Sequence, residues 1–536
     1  MSPAGHGPGL VLVNGAIWTG SNEVEALAIR GDRVVAVGSK EESEAAVGRD
    51  ARTIDLGGHR VVPGLIDSHL HFLRAGIHWG DVVRWDDVDT LEEGLSRIRR
   101  TASAASDGTW IRVLGGWHPH RFPERRGPTS EELDAAAPEH PVYVQLLYEE
   151  AYLNSFGARI ALDRADPRGG EFERDEGGRP TGTIRGVGAF AAVLQSIPQP
   201  AQSAQEASFK ALVAECSRLG LTGIVDPAGF GVTPGSYEGL LQVWRSGALD
   251  LRVRLYLMPW ERGSEVEQVR YWVENVEPDE GDDWLRYVGL GEIFAYGCHD
   301  LEGLESFPVT DAARRDLREI TSLLARSRWP GHIHAILDST IDAILDVWTE
   351  VAEDVGGLPR FSLAHAEFIG ERNLRRAKDL GIGIAIQNRL MFRAADSVAA
   401  WGRAAVSAAP PLRDILDLEI PLGAGTDGTV ASAMNPWYSI RWLVSGRSLD
   451  GAPPRAERHR LSRQEALGAY TSGSAWFSLE EGTRGTLGTG MLADLAVLTQ
   501  DFFTVEEDEI PGIRALLTMV GGRIVHADGP FADLLT

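Results

Sequence analysis

Lysine is almost missing from this chain: among 536 residues there are three, Lys40, Lys210 and Lys378, and arginine supplies the rest of the 52 basic side chains. A phosphate-cradling G-x-x-x-x-G-K-[ST] loop is thereby excluded, and no G-x-G-x-x-G stands between a strand and a helix, so the 61 glycines do not mark a nucleotide-binding enzyme. Cysteine is scarcer still. Cys216 and Cys298 allow at most one bridge, which rules out a disulfide framework and leaves both as ordinary thiols.

Long apolar runs are also lacking. No segment reaches the roughly 20 apolar residues of a membrane span, and the opening MSPAGHGPGLVLVNGAIWTG has neither the basic stretch nor the apolar run of a signal peptide. A cytoplasmic protein is expected. Runs of positive charge are absent, and 77 acidic against 52 basic residues give a net charge of -25, so neither nucleic acid nor a membrane is an expected partner.

What is present is a folded globular composition, 43% hydrophobic and 24% charged. The length exceeds one ordinary core, which implies two unequal domains. Residues 1–63 read as short alternating strands (LVLVNGAIWTG, EALAIRGDRVVAVG, ARTIDLGGHRVVPG) punctuated by hairpin residues. From 64 to 478 strand-like apolar runs alternate with amphipathic helical stretches, as in SFKALVAECSRLG before TGIVDPAG, and repetition of that unit indicates a parallel barrel. Residues 479–536 return to short strands (LADLAVLTQ, ALLTMVGGRIVHADG). The expected fold is therefore α/β: a (β/α)8 TIM barrel with a small β-sandwich domain formed by the N- and C-terminal segments. A Pro-, Gly- and Arg-rich insertion at about 115–200 interrupts the barrel and is expected to shape the substrate pocket.

The sharpest chemical signal is VVPGLIDSHLHF, a strand-like run ending in His69 and His71. Residues i and i+2 of a strand point the same way, so both imidazoles converge on one ion. The pair alone is equally two surface histidines; its place at the end of the first barrel-like strand favours a metal. His334 in GHIHAILD and His365 in FSLAHAEF close similar runs, although each also suits a hydrogen-bonded core histidine, and His332 shares the face of His334 and is exchangeable with it. Asp427 ends the last strand, IPLGAGTDGTV, where it binds metal, takes a proton, or does both; a turn-forming Asp is the plainer alternative. Fifteen tryptophans, Trp117, Trp401 and Trp437 among them, suggest an aromatic pocket if any face the barrel mouth, though most tryptophans are packing residues.

VVPGLIDSHLHF, HAILD, LAHAEF, GAGTDG, LADLAVL and MVGGRIV together resemble the amidohydrolase superfamily, and within it amidohydrolase family 3, which includes N-substituted formamide deformylase-like proteins. The resemblance spans nearly the whole chain. It implies a one- or two-metal centre in which His69, His71 and Asp427 bind the first ion and His334 and His365 the second. Many members join the ions through a carboxylated lysine; here GEIFAYG places Glu292 at that position and Tyr296 at a nearby aspartate position. No lysine lies nearby, so a carbamate is excluded, and a glutamate with two oxygens can bridge instead. The substrate-facing set departs from the family pattern: Glu149 replaces a histidine, His118 follows Trp117 where an aspartate is common, and Gly186 replaces a glutamate. Trp117, His118, Glu149 and Tyr296 are the expected substrate-binding residues.

The function implied is metal-dependent hydrolysis of a C–N bond, in an amide, cyclic amide or related small molecule, by metal-activated hydroxide with Asp427 as proton shuttle. The expected cofactor is a divalent metal, two zinc ions, with manganese, iron or nickel compatible with the same donors. Alternatives are a mononuclear deaminase, a non-hydrolytic lyase on the same barrel, or a catalytically silent binding protein; a homodimer is the default assembly.

Overall fold

Eight short parallel strands, buried along almost all their length, make the centre of the molecule. The computed structural model describes residues 9–48, 50–164 and 170–535. The strands are β1 (Leu65–Asp67), β2 (Leu221–Asp226), β3 (Arg252–Leu257), β4 (Leu285–Leu290), β5 (Gly331–Ala335), β6 (Phe361–His365), β7 (Gly383–Gln387) and β8 (Leu422–Gly425). They neighbour one another in sequence order. The barrel closes between β8 and β1, where the Ser68 amide donates to the Ala424 carbonyl (3.1 Å) and the Asp427 amide to the His69 carbonyl (2.8 Å). The fold class expected from the alternating pattern is the one observed.

Strands such as IVD and GIAIQ lack the polar alternation of a one-sided sheet because both faces are covered. The helices between them carry the alternation instead. Asp311–Ser327 buries Ala313, Leu317, Ile320 and Leu324 on one stripe, starts with the Thr310 side chain accepting from the Ala313 amide, and packs that stripe outside the barrel.

Two sheets beside the barrel enclose a second core. One runs Arg33–Gly38, Ala26–Arg30, Leu10–Val13, Arg52–Asp55; the other mixes both ends of the chain, with Leu495–Leu498 antiparallel to Arg60–Pro63. Alternation decides the faces: Leu12 packs with Leu27, Val61, Leu495 and Leu517 between the sheets, whereas Val11 and Val13 pack towards Val47 of a helix on the outer side. Buried ion pairs fasten this module to the barrel. Arg252 on β3 meets Asp494 at 2.9 Å, and Arg254 meets Glu480 at 2.6 Å. Residues 1–8 of the expected first segment lie outside the described residues.

Between β1 and β2 the chain builds a third sheet, in the order Glu171–Arg174, Pro180–Arg185, Glu150–Leu153, Val142–Leu146, Ile111–Leu114. This insertion stands over the C-terminal ends of the barrel strands. Among the described residues no helix is long and apolar enough to cross a membrane.

Candidate metal centre

The strand ends bring five of the expected donors, His69, His71, His334, His365 and Asp427, together with Glu292 into one buried cluster. All six are at most 6% exposed. Three donor groups have ligand atoms within 4.8 Å of one another: His69, His71 and Asp427; His69, Glu292 and His365; Glu292, His299 and His334. Glu292 follows β4 and its two oxygens face different histidines. Oε1 lies 3.6 Å from His334 Nδ1 and 4.0 Å from His69 Nε2, and Oε2 lies 3.7 Å from His71 Nε2. Asp427 Oδ1 lies 3.0 Å from His71 Nε2 and 3.8 Å from His69 Nε2.

The tautomers follow from the partners on the far side of each ring. The Ser362 hydroxyl donates to the Gly331 carbonyl at 3.2 Å, so it accepts from His332 Nδ1 at 2.7 Å; His332 Nε2 is then an acceptor, and His69 Nδ1 donates to it at 2.9 Å. His69 therefore turns the lone pair of Nε2 to the cluster. His71 Nδ1 donates to the Ala228 carbonyl, which leaves its Nε2 to face Asp427 and Glu292. His334 sets Nε2 3.0 Å from Asp300 Oδ1, a carboxylate held by the amides of Ile336 and Leu337, and turns Nδ1 inward. An outer nitrogen set against a partner, as in His69, His71 and His334, is the arrangement that orients histidine ligands to metals. His332, exchangeable with His334 by spacing, instead stands behind His69.

Burial and charge set the protonation. Burial drives His69 and His365 well below the ordinary histidine value, so both are neutral. Burial alone would raise Glu292, but His71, His334 and His69 hold it well below the usual carboxylate range. His334 moves the other way: burial lowers it, yet Asp300 and Glu292 on either side push it up to about 10. Asp427 is raised, chiefly by burial, against the opposing effect of His71. The cluster thus concentrates two carboxylates around imidazoles whose inward nitrogens lack partners. His69 Nε2, His334 Nδ1 and both nitrogens of His365 are buried without a hydrogen bond. Orphaned buried nitrogens of this kind, beside carboxylates, suit divalent cations.

Backbone strain gathers here too. His365, Ala366 and Asp427 have φ of 69°, 46° and 55°, left-handed values that a non-glycine residue adopts only when its surroundings impose them. Gly229, at φ +139°, passes so close that a Cβ there would lie 2.6 Å from His71 Nδ1. Asp67 knits β1 to β8 by accepting from the His69 amide (3.0 Å) and the Thr426 hydroxyl (2.7 Å), which fixes the two strand ends that carry His69 and Asp427.

The expected substrate residues sit elsewhere. Trp117 has no exposed surface; it stacks on Phe122 and donates its indole N–H to the Gln145 carbonyl at 2.8 Å, so it is packing. His118 accepts from the His120 amide (3.2 Å) and caps a short turn, with burial lowering it to about 4. Glu149 is exposed, 4.0 Å from Arg393, and Tyr296 donates its hydroxyl to the Pro259 carbonyl at 3.1 Å. Gly186 begins the helix Val187–Ser196 at φ 84°. Trp437 is buried, and Trp401 donates to the Gly303 carbonyl. Cys216 and Cys298 are free and buried.

The cavity that opens beside the cluster, about 570 Å³, is lined instead by Arg74, Tyr148, Phe190, Leu194, Phe230 and Val430 with their neighbours. Phe230 ties it to the centre by packing edge-on to His299, with ring centroids 5.1 Å apart. His299 was not visible as a site residue in the sequence. It stacks on His334 at 3.8 Å, and its Nδ1 accepts from the Leu301 amide at 3.1 Å. A neutral ring then carries its proton on Nε2, which makes His299 a donor to the site rather than a ligand through that atom; burial above all lowers it to about 3 and keeps it neutral. The only hint was the GCHD turn directly after GEIFAY.

Comparison with known proteins agrees with this geometry. The model of the amidohydrolase family matches residues 52–526. The chain is 27% identical to Protein LONG AFTER FAR-RED 3 of Arabidopsis thaliana, over 98% of this chain and 92% of that one. It is 26% identical to N-substituted formamide deformylase of Arthrobacter pascens, over 93% and 94% of the two chains. An uncharacterized metal-dependent hydrolase from Pyrococcus horikoshii shares the fold, with a TM-score of 0.69 at 21% identity, covering 93% of this chain and 99% of that one. The chain belongs to the amidohydrolase family. It is a hydrolase by that membership.

Proposed function

We propose that the protein hydrolyses an amide, cyclic amide or related C–N bond of a small organic molecule in the cytoplasm, at a two-ion centre. His69, His71 and Asp427 would hold one ion, His334 and His365 the other, and Glu292 would be shared between them. The observation that carries this reading is the Glu292 carboxylate, whose Oε1 faces His334 and Oε2 faces His71. Imidazole and carboxylate donors suit zinc, and also manganese, iron or nickel. When bound, such ions polarise the bond under attack and lower the pKa of water to about 7.

The chain supplies the rest. Asp427, buried beside His71, takes the proton released in the attack and returns it to the leaving nitrogen, the exchange of roles expected of one carboxyl group serving as base and then acid. Its left-handed backbone aims the carboxylate into the cluster. The deformylase named above acts, by its name, on an N-substituted formamide, which supports a small amide as the substrate class.

Elemental analysis of wild type beside Glu292→Ala tests the centre. Two ions per chain falling to one or none supports the bridge. One ion in both proteins overturns the two-ion reading, and no ion in the wild type overturns metal-dependent hydrolysis at this cluster.

A further inference from the structure

Arg74 is a partly buried cation with no carboxylate in direct contact among the described residues. It stands three residues after His71, on the helix Phe72–His78, and lines the cavity. Its Nη1 donates to the Tyr148 hydroxyl at 2.8 Å, while Nε and Nη2 are buried with no partner. Among the described residues it forms no ion pair, whereas Arg389, Arg252 and Arg254, which are more deeply enclosed, each meet a carboxylate. An isolated buried charge is costly unless something pairs with it.

The carboxylates nearest to Arg74 in the electrostatic sense are Glu292 and Asp427. Both are turned to the imidazole cluster, and a divalent metal there would take up their charge, leaving the guanidinium unmatched. Tyr148 points to the same conclusion. It accepts from Arg74, so its own O–H proton is left to donate, and burial, partly offset by Arg74, raises it to about 12, which keeps that proton on at neutral pH. Arg74 and Tyr148 therefore bring unused donors to one wall of a cavity that also carries the apolar side chains of Ile77, Leu114, Phe190, Leu194, Val232 and Val430, beside polar ones such as Arg112 and Gln145.

We infer that the substrate carries a carboxylate, received by Arg74 and Tyr148, on an otherwise apolar body that lies against Phe190 and Leu194 with its scissile bond towards the His69–Asp427 cluster. The planar fork of a guanidinium matches the two oxygens of a carboxylate. This inference rests on the proposed hydrolase reading and narrows its substrate class. It assigns recognition to the helix after β1 and to the insertion, which supplies Tyr148.

Calorimetric titration of the metal-loaded protein with hexanoate and with hexanamide tests it, together with metal content. Hexanoate should bind about 10- to 100-fold more tightly than hexanamide, as charge-assisted hydrogen bonds imply. Arg74→Met should abolish that preference with metal content retained, and Tyr148→Phe should reduce it. Equal binding of the two probes by the wild type overturns the inference. A hexanoate preference that persists in Arg74→Met also overturns it, because the carboxylate is then held elsewhere, with the hydrolase reading intact. Absence of metal from the wild type would defeat the hydrolase reading instead, and the comparison of the two probes would still report on Arg74.

Discussion

Replacing His332 should weaken metal binding although His332 touches no ion. The ring is wholly buried and serves as a link: Ser362 accepts its Nδ1 proton at 2.7 Å, and its Nε2 accepts from His69 Nδ1 at 2.9 Å. His332→Phe fills much the same space, among Tyr256 and Phe477, but removes the acceptor. His69 then loses the bond that fixes its tautomer, and a buried donor left alone costs about 1–3 kcal/mol. Partners of this kind typically alter metal affinity by about 10- to 100-fold, or ~1.4–2.7 kcal/mol, and the two ranges agree. Chelator-competition titration measures the affinity, and thermal unfolding of the metal-free protein confirms folding. His332→Gln, whose amide oxygen can accept from His69, should recover most of the loss. Unchanged affinity in His332→Phe, or a Gln variant as weak as Phe, would refute the relay from Ser362 to His69.

Two other perturbations probe what surrounds the centre. Gly229→Ala combines an unfavourable left-handed φ with a methyl group 2.6 Å from His71 Nδ1, so the ring must shift and the affinity of the ion held by His71 should fall, read by the same titration; affinity equal to wild type would show that the loop yields instead. Glu480 joins Arg254 and Arg484 where the sandwich meets the barrel; burial raises its pKa, but the two guanidinium groups lower it to about 2. Because the folded value lies below the unfolded one, its contribution of about 3 kcal/mol is present above pH ~4.5 and is lost as pH falls towards 2. Urea unfolding from pH 7 to pH 2 should show Glu480→Gln less stable at pH 7 and converging on the wild type in acid; parallel curves would contradict the assignment.

The sequence by itself determined the barrel and most of the buried cluster at its strand ends. Continuous apolar strands alternating with amphipathic helices have one common solution, and His69, His71, His334, His365 and Asp427 each end such a strand, so their convergence followed from chain direction alone. Glu292 was legible only through its place in a resembling motif. Tertiary structure decided the rest, because depth and neighbours are not periodic properties. Spacing made His332 and His334 equivalent; packing against Ser362 on the one side and Asp300 on the other separated a supporting ring from an inward-facing one. Likewise Trp117, His118, Glu149 and Tyr296 were candidates for substrate contact by motif, and only folding shows their neighbours: Phe122, the His120 amide, Arg393 and the Pro259 carbonyl. Arg74, Tyr148 and His299 line or approach the cavity beside the cluster through folding that joins a helix after β1, a turn of the insertion and the turn after β4, three segments that no local pattern connects.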